Sequence, residues 1–228
     1  AHLADALHDI DQLLLISANE IGHRTPQHQA VITAAQQAGV KHIVYTSLLH
    51  ADRNPLGLAQ EHRETEALIL ASGLTYTFLR NNWYSENYLA NVAHAVETGV
   101  LYGSAEHGKI SSASRQDYAE AAAQVLASAG HDNKTYELAG SDIYSLSDLA
   151  DYISQAAHKT VVYQNLSAVD YKQALNAAGL PSALVDVIVD ADVHAAQGVM
   201  YSQSQDLQQL LGHKTTPIQE QVRAIFDA

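Results

Sequence analysis

The chain has 228 residues, of which 47% are hydrophobic and 16% charged, proportions typical of a globular protein with a buried core. The formal net charge of −13 opposes binding to nucleic acids, and no apolar run approaches the roughly 20 residues that cross a bilayer, so neither a nucleic acid nor a membrane is expected as a partner. The absence of cysteine excludes disulfides and thiol chemistry, and it fits a cytoplasmic protein.

The first part of the chain alternates short apolar runs with helical segments. Residues 12–17, 42–47 and 75–80 are apolar runs without polar alternation, the pattern of strands that are covered on both faces of a parallel sheet. Between them, helices are predicted from Pro26 to a stop at Gly39 and over residues 59–71. The order strand, helix, strand, helix, strand predicts βαβ units with parallel strands.

The alternation is looser after Arg80. Helices are predicted over residues 82–97, 115–128, 168–178 and 182–189 and after a Ser145 cap. Short strands are predicted over residues 134–138 and 161–163, and a turn or short strand over residues 99–103. The fold class is therefore expected to be α/β, with a parallel sheet flanked by helices and a small C-terminal α/β lobe packed on it.

Polar side chains follow each of the three apolar runs. The first run ends in residues 17–20 (Ser-Ala-Asn-Glu), the second in Thr46 and Ser47, and the third in residues 80–87. Each set could simply cap helices and turns. Because ligands bind beyond the carboxyl ends of the strands in open parallel sheets, three neighbouring polar ends together predict a ligand crevice.

The third strand end offers the most varied chemistry. Arg80 carries a fork of donors suited to a phosphate or a carboxylate, Asn82 and Asn87 can bind an amide, and Trp83 and Tyr84 are flat surfaces for a ring. In the alternative interpretation, the two aromatic residues fill the join between sheet and lobe, and Arg80 pairs with a nearby acid. The residue types alone favour this structural interpretation.

Other kinds of site find little support in the sequence. His62 and Glu66 share a helix face, but no third ligand stands at a usual spacing, so no metal site is predicted. There is no Gly-x-Ser-x-Gly motif for serine hydrolysis. No Gly-x-Gly-x-x-Gly motif occurs either, so nothing in the sequence forms the usual cradle for nucleotide phosphates.

Several longer stretches carry a family resemblance. They include residues 45–52 (Tyr-Thr-Ser-Leu-Leu-His-Ala-Asp), 83–90 (Trp-Tyr-Ser-Glu-Asn-Tyr-Leu-Ala), 136–140 (Tyr-Glu-Leu-Ala-Gly) and 163–167 (Tyr-Gln-Asn-Leu-Ser). With them the chain resembles the NmrA-like, atypical short-chain dehydrogenases, a family that includes bacterial NADPH-dependent quinone reductases and triphenylmethane reductases. The likeness runs in order through essentially the whole chain.

The resemblance implies an architecture and an activity. It implies a Rossmann-like, NAD(P)-binding domain over residues 1–135 and a mainly substrate-binding lobe over residues 136–228, with residues 82–108 contributing to the lobe. The implied reaction is hydride transfer from NADPH to a quinone, by a monomer or homodimer.

The resemblance also assigns residues. Those implied to bind the cofactor are Ser17, Asn19, Glu20 and Ile21 along its sugars and phosphates, Thr46 and Ser47 at the second strand end, and Asn82, Trp83, Tyr84, Ser85, Glu86 and Asn87 at the nicotinamide end. Leu58 and His62 stand where the family's classical members keep a Tyr-x-x-x-Lys acid–base pair. Because quinone oxygens can take protons from water, the reaction tolerates this loss. His62, Tyr84 and Asn87 are the candidates to polarise a quinone oxygen.

A second departure from the family concerns the start of the chain. Family members begin with a strand, the glycine-rich loop and two further βα steps, so about 60 residues, the length of two βαβ units, are expected to precede Ala1. If the 228 residues are the whole molecule, the affinity for the cofactor is expected to fall sharply and the sheet to expose an edge. Two alternatives to the enzyme therefore stay open: a non-catalytic NmrA-like sensor of NADP, and an inactive truncated fragment.

Overall fold

A computed structural model describes residues 3–227; Ala1, His2 and Ala228, the ends of the two predicted domains, lie outside the described residues. The strands are β1 (Gln12–Leu15), β2 (His42–Leu48), β3 (Thr75–Asn81), β4 (Val100–Gly103), β5 (Lys134–Leu138) and β6 (Val162–Asn165). The helices are α1 (Leu3–Ala6), α2 (Arg24–Ala38), α3 (Ala59–Ser72), α4 (Ser85–Leu89), α5 (Val92–Thr98), α6 (Arg115–Ala127), α7 (Leu146–Ala157), α8 (Ala168–Ala177), α9 (Ser182–Ala196), α10 (Asp206–Leu211) and α11 (Ile218–Phe226). Within residues 3–227, every helix is too short or too polar to cross a bilayer.

The larger sheet is parallel throughout. Its strand order is β1-β2-β3-β5, and β2 is buried along its whole length, as its unbroken apolar run predicts. Successive side chains of β2 point to opposite faces: Ile43 and Tyr45 pack with helices α2 and α3, whereas Val44 packs with α6 and α10. Two helical layers therefore cover the sheet, which confirms the predicted α/β fold.

The lobe is built around a second, two-stranded parallel sheet. Strand β4 pairs with β6, from Val100 opposite Val162 to Gly103 opposite Asn165. Helices α5, α7 and α11 pack around these strands and share one apolar core, whose fully buried members include Tyr144, Leu149 and Ile153. The chain thus enters the lobe at β4, returns to the main sheet at β5 and enters the lobe again.

Two helix boundaries follow directly from local chemistry. Helix α2 ends at Gly39 and α3 at Gly73, both in the left-handed conformation that glycine adopts without strain. Helix α7 begins after Ser145, whose hydroxyl accepts the Asp148 N–H while the Asp148 carboxylate accepts the Ser145 N–H. The predicted hydroxyl cap is therefore a complete capping box.

The largest correction concerns residues 82–97, which were expected to form one helix. Residues 82–84 are extended instead, because the Asn82 N–H bonds Leu138 O and Tyr84 bridges to Ala113. The rest forms two short helices, α4 and α5, and the Asn91 N–H closes a tight turn onto Tyr88 O between them.

The other differences from the sequence predictions are in the last third. Helix α9 continues seven residues past the predicted end at Val189, to Ala196, and α10 and α11 were not predicted. The predicted boundary at residues 135/136 falls inside β5, which pairs with β3 along its length. The division into a nucleotide domain and a substrate lobe stays a prediction, with all of β5 on the sheet side.

Candidate active site

A cavity of about 650 Å³ lies between the carboxyl ends of the main sheet and helix α9 of the lobe. The loop after β1, the ends of β2 and β3, and helix α4 form one wall, and α9 forms the other. This is the place at which open parallel sheets bind ligands.

Most of the residues predicted for the site line this cavity. They are Ser17, Asn19, Ile21, Ser47, His62, Asn82, Trp83, Tyr84, Glu86 and Asn87. Glu20, Thr46 and Ser85 do not. The exposed Glu20 accepts from Gln27 Nε2 at 2.6 Å, Thr46 Oγ1 accepts the Ser17 N–H at 2.8 Å, and the Ser85 hydroxyl lies 2.9 Å from that of Ser112. These three side chains hold neighbouring segments together, and a role in cofactor binding stays a prediction for them.

Asn82 joins three distant segments under the cavity. Its amide Nδ2 donates to Ser111 O at 2.9 Å and to Met200 O at 3.0 Å, and the side chain is buried. With its donor group already bound to protein, Asn82 acts first as a crosslink between the sheet and the chain's last third.

Trp83 and Tyr84 both line the cavity, but they pack on different cores. Trp83 lines the cavity and also packs against the lobe core. The guanidinium of Arg115 lies 4.3 Å from the centroid of the Tyr84 ring and donates to Asn87 Oδ1 at 3.3 Å. Trp83 therefore fills the join between sheet and lobe, Tyr84 packs on the sheet side with Tyr118, and both border the cavity, where a role in binding stays a prediction.

Arg80, in contrast, follows the structural interpretation. Its guanidinium forms a bidentate ion pair with Glu66, at 3.0 and 2.8 Å, and a further pair with Glu137 at 2.8 Å. These carboxylates raise the pKa of the arginine despite its partial burial. Ser47 Oγ donates to the same Glu66 at 2.6 Å, so this strand end is a closed ionic network rather than a phosphate site.

His62 is held in a fixed, neutral state. The ring is 5% exposed, its Nδ1 lies 2.8 Å from the Tyr45 hydroxyl, and its Nε2 lies 3.3 Å from Arg24 Nη1. Because a guanidinium can only donate, Nε2 accepts and the proton sits on Nδ1. Burial first, and then the charge of Arg24, lower the pKa of His62 to about 3. Both ring nitrogens are engaged, and the catalytic role given to His62 stays a prediction.

Two acceptors on the cavity wall are buried without a hydrogen-bond partner among residues 3–227. They are Asn81 Oδ1 and Glu86 Oε2. An unsatisfied buried acceptor costs about 1–3 kcal/mol, so such groups point to a ligand that donates to them. The carboxamide of a nicotinamide is a donor of this kind, and the ribose hydroxyls of a dinucleotide are others. The residues present thus fit a nicotinamide nucleotide.

Sequence reasoning missed the opposite wall. Its apolar members are Leu180, Leu184, Val187, Ile188 and Ala191, and Asp192 adds a carboxyl. The spacing of the four members on α9, at positions 184, 187, 188 and 191, marks one helix face, but the same spacing predicts an ordinary core face. Arg24 and Arg115, the basic residues that line the cavity, were also missed. In residues 3–227 no group of three or more histidine or acidic side chains could hold a metal ion.

Comparison with known proteins gives consistent matches. A model described as NAD(P)H-binding matches residues 1–129. Quinone oxidoreductase 2 of Escherichia coli is 52% identical over 227 residues, which cover 100% of this chain and 79% of that protein. Its crystal structure with NADPH matches with a TM-score of 0.96 over 98% of this chain and 79% of that chain. Triphenylmethane reductase of Citrobacter matches at 33% identity, with a TM-score of 0.94, over 99% of this chain and 79% of that chain.

Proposed function

Since the chain belongs to the NAD(P)H-binding family, we propose that it is an NADPH-dependent quinone oxidoreductase, which transfers a hydride from NADPH to a quinone. The membership confirms the resemblance found in the sequence. One observation carries the proposal furthest: the cavity has a polar wall at the strand ends, with unpaired acceptors, and an apolar wall on α9.

The polar wall suits the nucleotide. Asn19 and Ile21 would lie along its sugars, and Asn81, Trp83 and Asn87 would hold the nicotinamide end through amide groups and a flat ring. When bound, the reduced nicotinamide supplies two electrons as a hydride. The chain's own contribution is to fix the orientation of the two reactants and to exclude water between them.

The apolar wall suits the acceptor. A quinone is flat and apolar, with two oxygens that accept hydrogen bonds. Leu184, Val187 and Ile188 present branched side chains from one face of α9, opposite Trp83 and Asn87. A ring between these walls lies against apolar groups on one side and polar groups on the other, an arrangement that small-molecule sites commonly show.

Leu58 and His62 stand where the family's classical members keep their acid–base pair. Leu58 has no proton to give, and it borders the cavity as part of the apolar surface. His62, with its pKa lowered to about 3, stays neutral and has partners on both ring nitrogens. The proton that a reduced quinone requires therefore comes from another group or from water.

The proposal is tested by titrating the protein with NADPH, following nucleotide fluorescence, and then adding menadione. Saturable binding followed by oxidation of NADPH is the expected result. Asn81→Ala, which removes an unpaired acceptor, should weaken NADPH binding by about 10-fold, the equivalent of one hydrogen bond of about 1.4 kcal/mol.

The matched control is Asn176→Ala, an exposed position on α8, which should bind NADPH as the wild type does. Saturable binding without oxidation of NADPH by any quinone would contradict the proposal and favour a sensor of the nucleotide.

A further inference from the structure

The apolar wall of the cavity contains one carboxyl group. Asp192 lies on α9 one turn after Ile188, borders the cavity and is 1% exposed. Burying a carboxylate beside apolar groups is costly unless other groups bond to it. The hydrogen bonds of Asp192 therefore indicate whether its charged or its neutral form is favoured.

The carboxyl of Asp192 has few partners. Oδ2 accepts the Ser104 N–H at 2.8 Å, and Oδ1 faces the Tyr88 hydroxyl at 3.4 Å. A carboxylate has about four lone-pair sites. With two contacts, one of them long, the charged form is poorly stabilised, and burial raises the pKa of Asp192 to about 6.

Among residues 3–227, the titratable groups of other elements that face Asp192 are three tyrosines. They are Tyr88 on α4, Tyr163 on β6 and Tyr171 on α8. On its own helix, Asp190 pairs with His194 at 3.1 Å and accepts the Gly57 N–H, so it is engaged elsewhere. The neighbours are therefore neutral hydroxyl groups rather than cations that would fix the carboxyl as an anion.

Tyr88 connects this carboxyl to the reacting part of the cavity. It follows Asn87 directly on α4 and lines the cavity together with Asn87 and Trp83. Burial raises its pKa well above 10, so the hydroxyl stays protonated. The 3.4 Å contact to Asp192 Oδ1 leaves the hydroxyl free to turn towards a ligand oxygen.

We propose that Tyr88 and Asp192 form the proton source for the bound quinone, with Tyr88 as the catalytic donor and Asp192 as the positioning residue that resupplies it. This inference rests on the proposed function. The quinone gains a hydride, with its two electrons, from the reduced nicotinamide and becomes a hydroquinone anion. The Tyr88 O–H bond then breaks as the hydroquinone O–H bond forms, and the Asp192 proton moves to the Tyr88 oxygen. The Asp192 carboxylate takes its next proton from water entering the cavity.

Two kinds of hydride acceptor allow the proton supply to be tested separately from the hydride transfer. A quinone needs a hydride and a proton, whereas a triphenylmethane dye cation needs only a hydride at its central carbon. The experiment compares menadione with such a dye, at saturating acceptor, between pH 5 and pH 8. The kcat for menadione should fall as the pH rises through about 6, the pKa of Asp192, and the kcat for the dye should stay level.

The key variant is Asp192→Asn, which keeps an oxygen for the Ser104 N–H but cannot titrate. Its kcat for menadione should be about 100-fold lower and independent of pH, the lower end of what general acid catalysis contributes. Its kcat for the dye should change by no more than about twofold. Tyr88→Phe should have the same effect on menadione. The control Tyr163→Phe removes another hydroxyl that faces Asp192 but does not line the cavity, and it should leave both rates unchanged.

A second measurement needs neither nucleotide nor turnover. Because the folded-state pKa of Asp192 is raised, the folded protein should lose stability as the pH rises through about 6, and Asp192→Asn should lose this dependence. Equal falls of both rates in Asp192→Asn would indicate a structural role and overturn the inference, as would an unchanged rate with menadione. If the wild type reduces the dye but no quinone, the proposed function itself fails, and this inference with it.

Discussion

The two walls of the cavity differ in how their polar groups are bonded. At the sheet wall, formed by the strand ends and α4, Arg80 is paired with two glutamates and His62 is held between Tyr45 and Arg24, while Asn81 Oδ1 and Glu86 Oε2 have no hydrogen-bond partner among residues 3–227. On the lobe wall, Asp192 follows the apolar lining residues of α9 and faces three tyrosine hydroxyls, and it has one short hydrogen bond among residues 3–227. The sheet wall is therefore built to hold a fixed geometry, and the lobe wall leaves one group able to change its protonation.

The contrast follows from topology. Consecutive strand ends of a parallel sheet lie side by side, so polar residues placed there meet polar residues of the next strand. Helix α9 faces the strand ends across the cavity, and its Asp192 has only two hydrogen-bond contacts among residues 3–227. The sheet wall therefore offers a rigid surface for the cofactor, and the wall on α9 offers a more adaptable surface for the acceptor.

The largest expected effect concerns the sheet wall and is a loss of folding stability at acid pH caused by His62. An unfolded chain protonates His62 below about pH 6.5, whereas the folded chain does so only near its lowered pKa of about 3. Acid therefore favours unfolding, and about 3 kcal/mol of the free energy of unfolding should be lost between pH 7 and pH 4 on account of this residue. Asp192, with its raised pKa, acts in the opposite direction over the same range.

Chemical denaturation across that pH range measures the effect. The variant His62→Asn should be less stable at pH 7 but should show a flatter dependence on pH than the wild type. The exposed His107→Asn is the control and should follow the wild type. Parallel curves for all three proteins would mean that His62 is not buried in its neutral form.

A somewhat smaller effect is expected from a substitution that disturbs only the lobe wall. A Cβ on Gly108 would lie 2.2 Å from the backbone oxygen of Ala195, at the end of α9. Because backbone cannot yield as a side chain does, Gly108→Ala should move the helix and cost about 2 kcal/mol of stability. The KM for quinone should rise while the Kd for NADPH stays close to that of the wild type.

Gly57 provides a matched control for this substitution. A Cβ there would meet Asp190 Oδ2, also on α9, at an ordinary 3.7 Å. Gly57→Ala should therefore change stability by no more than about 0.5 kcal/mol. Equal loss of NADPH binding and quinone affinity in Gly108→Ala would show that the two walls do not act separately.

A substitution at Arg24 should disturb the sheet wall and leave the lobe wall intact. Arg24 holds the loop after β1 by donating to Ala18 O, and it also donates to His62. Arg24→Ala should raise the Kd for NADPH by about 10-fold, because a charged hydrogen bond contributes about 1.5 kcal/mol. The KM for quinone should be unchanged, as should both constants in the exposed control Arg223→Ala. A change in KM alone would place Arg24 with the acceptor instead.

The smallest effect on activity is expected for Arg115, which borders the cavity at the protein surface. Arg115 is exposed, and its contacts with the Tyr84 ring and Asn87 are open to solvent. Arg115→Gln should lower kcat/KM by about two- to fivefold, the equivalent of an exposed cation–π contact of about 0.5–1 kcal/mol. The difference should shrink as salt is added. A loss of 100-fold or more would instead mean that Arg115 binds a charged part of the substrates directly.

The sequence predicted the sheet wall better than the lobe wall. Apolar runs fix the positions of β1, β2 and β3, and the residues that follow each run must then lie at one edge of the sheet, which is why Ser17, Ser47 and Trp83 all line the cavity. A local signal of this kind also identified the end of α2 at Gly39.

Contacts between segments that are distant in the chain could not be predicted from the sequence. Tyr88 and Asp192 are 104 residues apart, and no local pattern in either α4 or α9 indicates that they meet. The same limit hid the partners of Arg80, since Glu66 and Glu137 approach it from different elements. The extended stretch over residues 82–84 was missed because the bonds that straighten it come from Leu138 and Ala113.

The crosslink made by Asn82 has a consequence for how the protein is made. Its amide bonds Met200 O, which lies 118 residues later in the chain. At a synthesis rate of about 5–20 residues per second, roughly 6 to 24 s pass between the appearance of the two partners on the ribosome. During that interval the parallel strands can pair, but the segment beneath the cavity is still open on one side. The site is therefore among the last parts of the molecule to form, and a nascent chain that stops before residue 200 would carry the strands of the sheet without a finished binding surface.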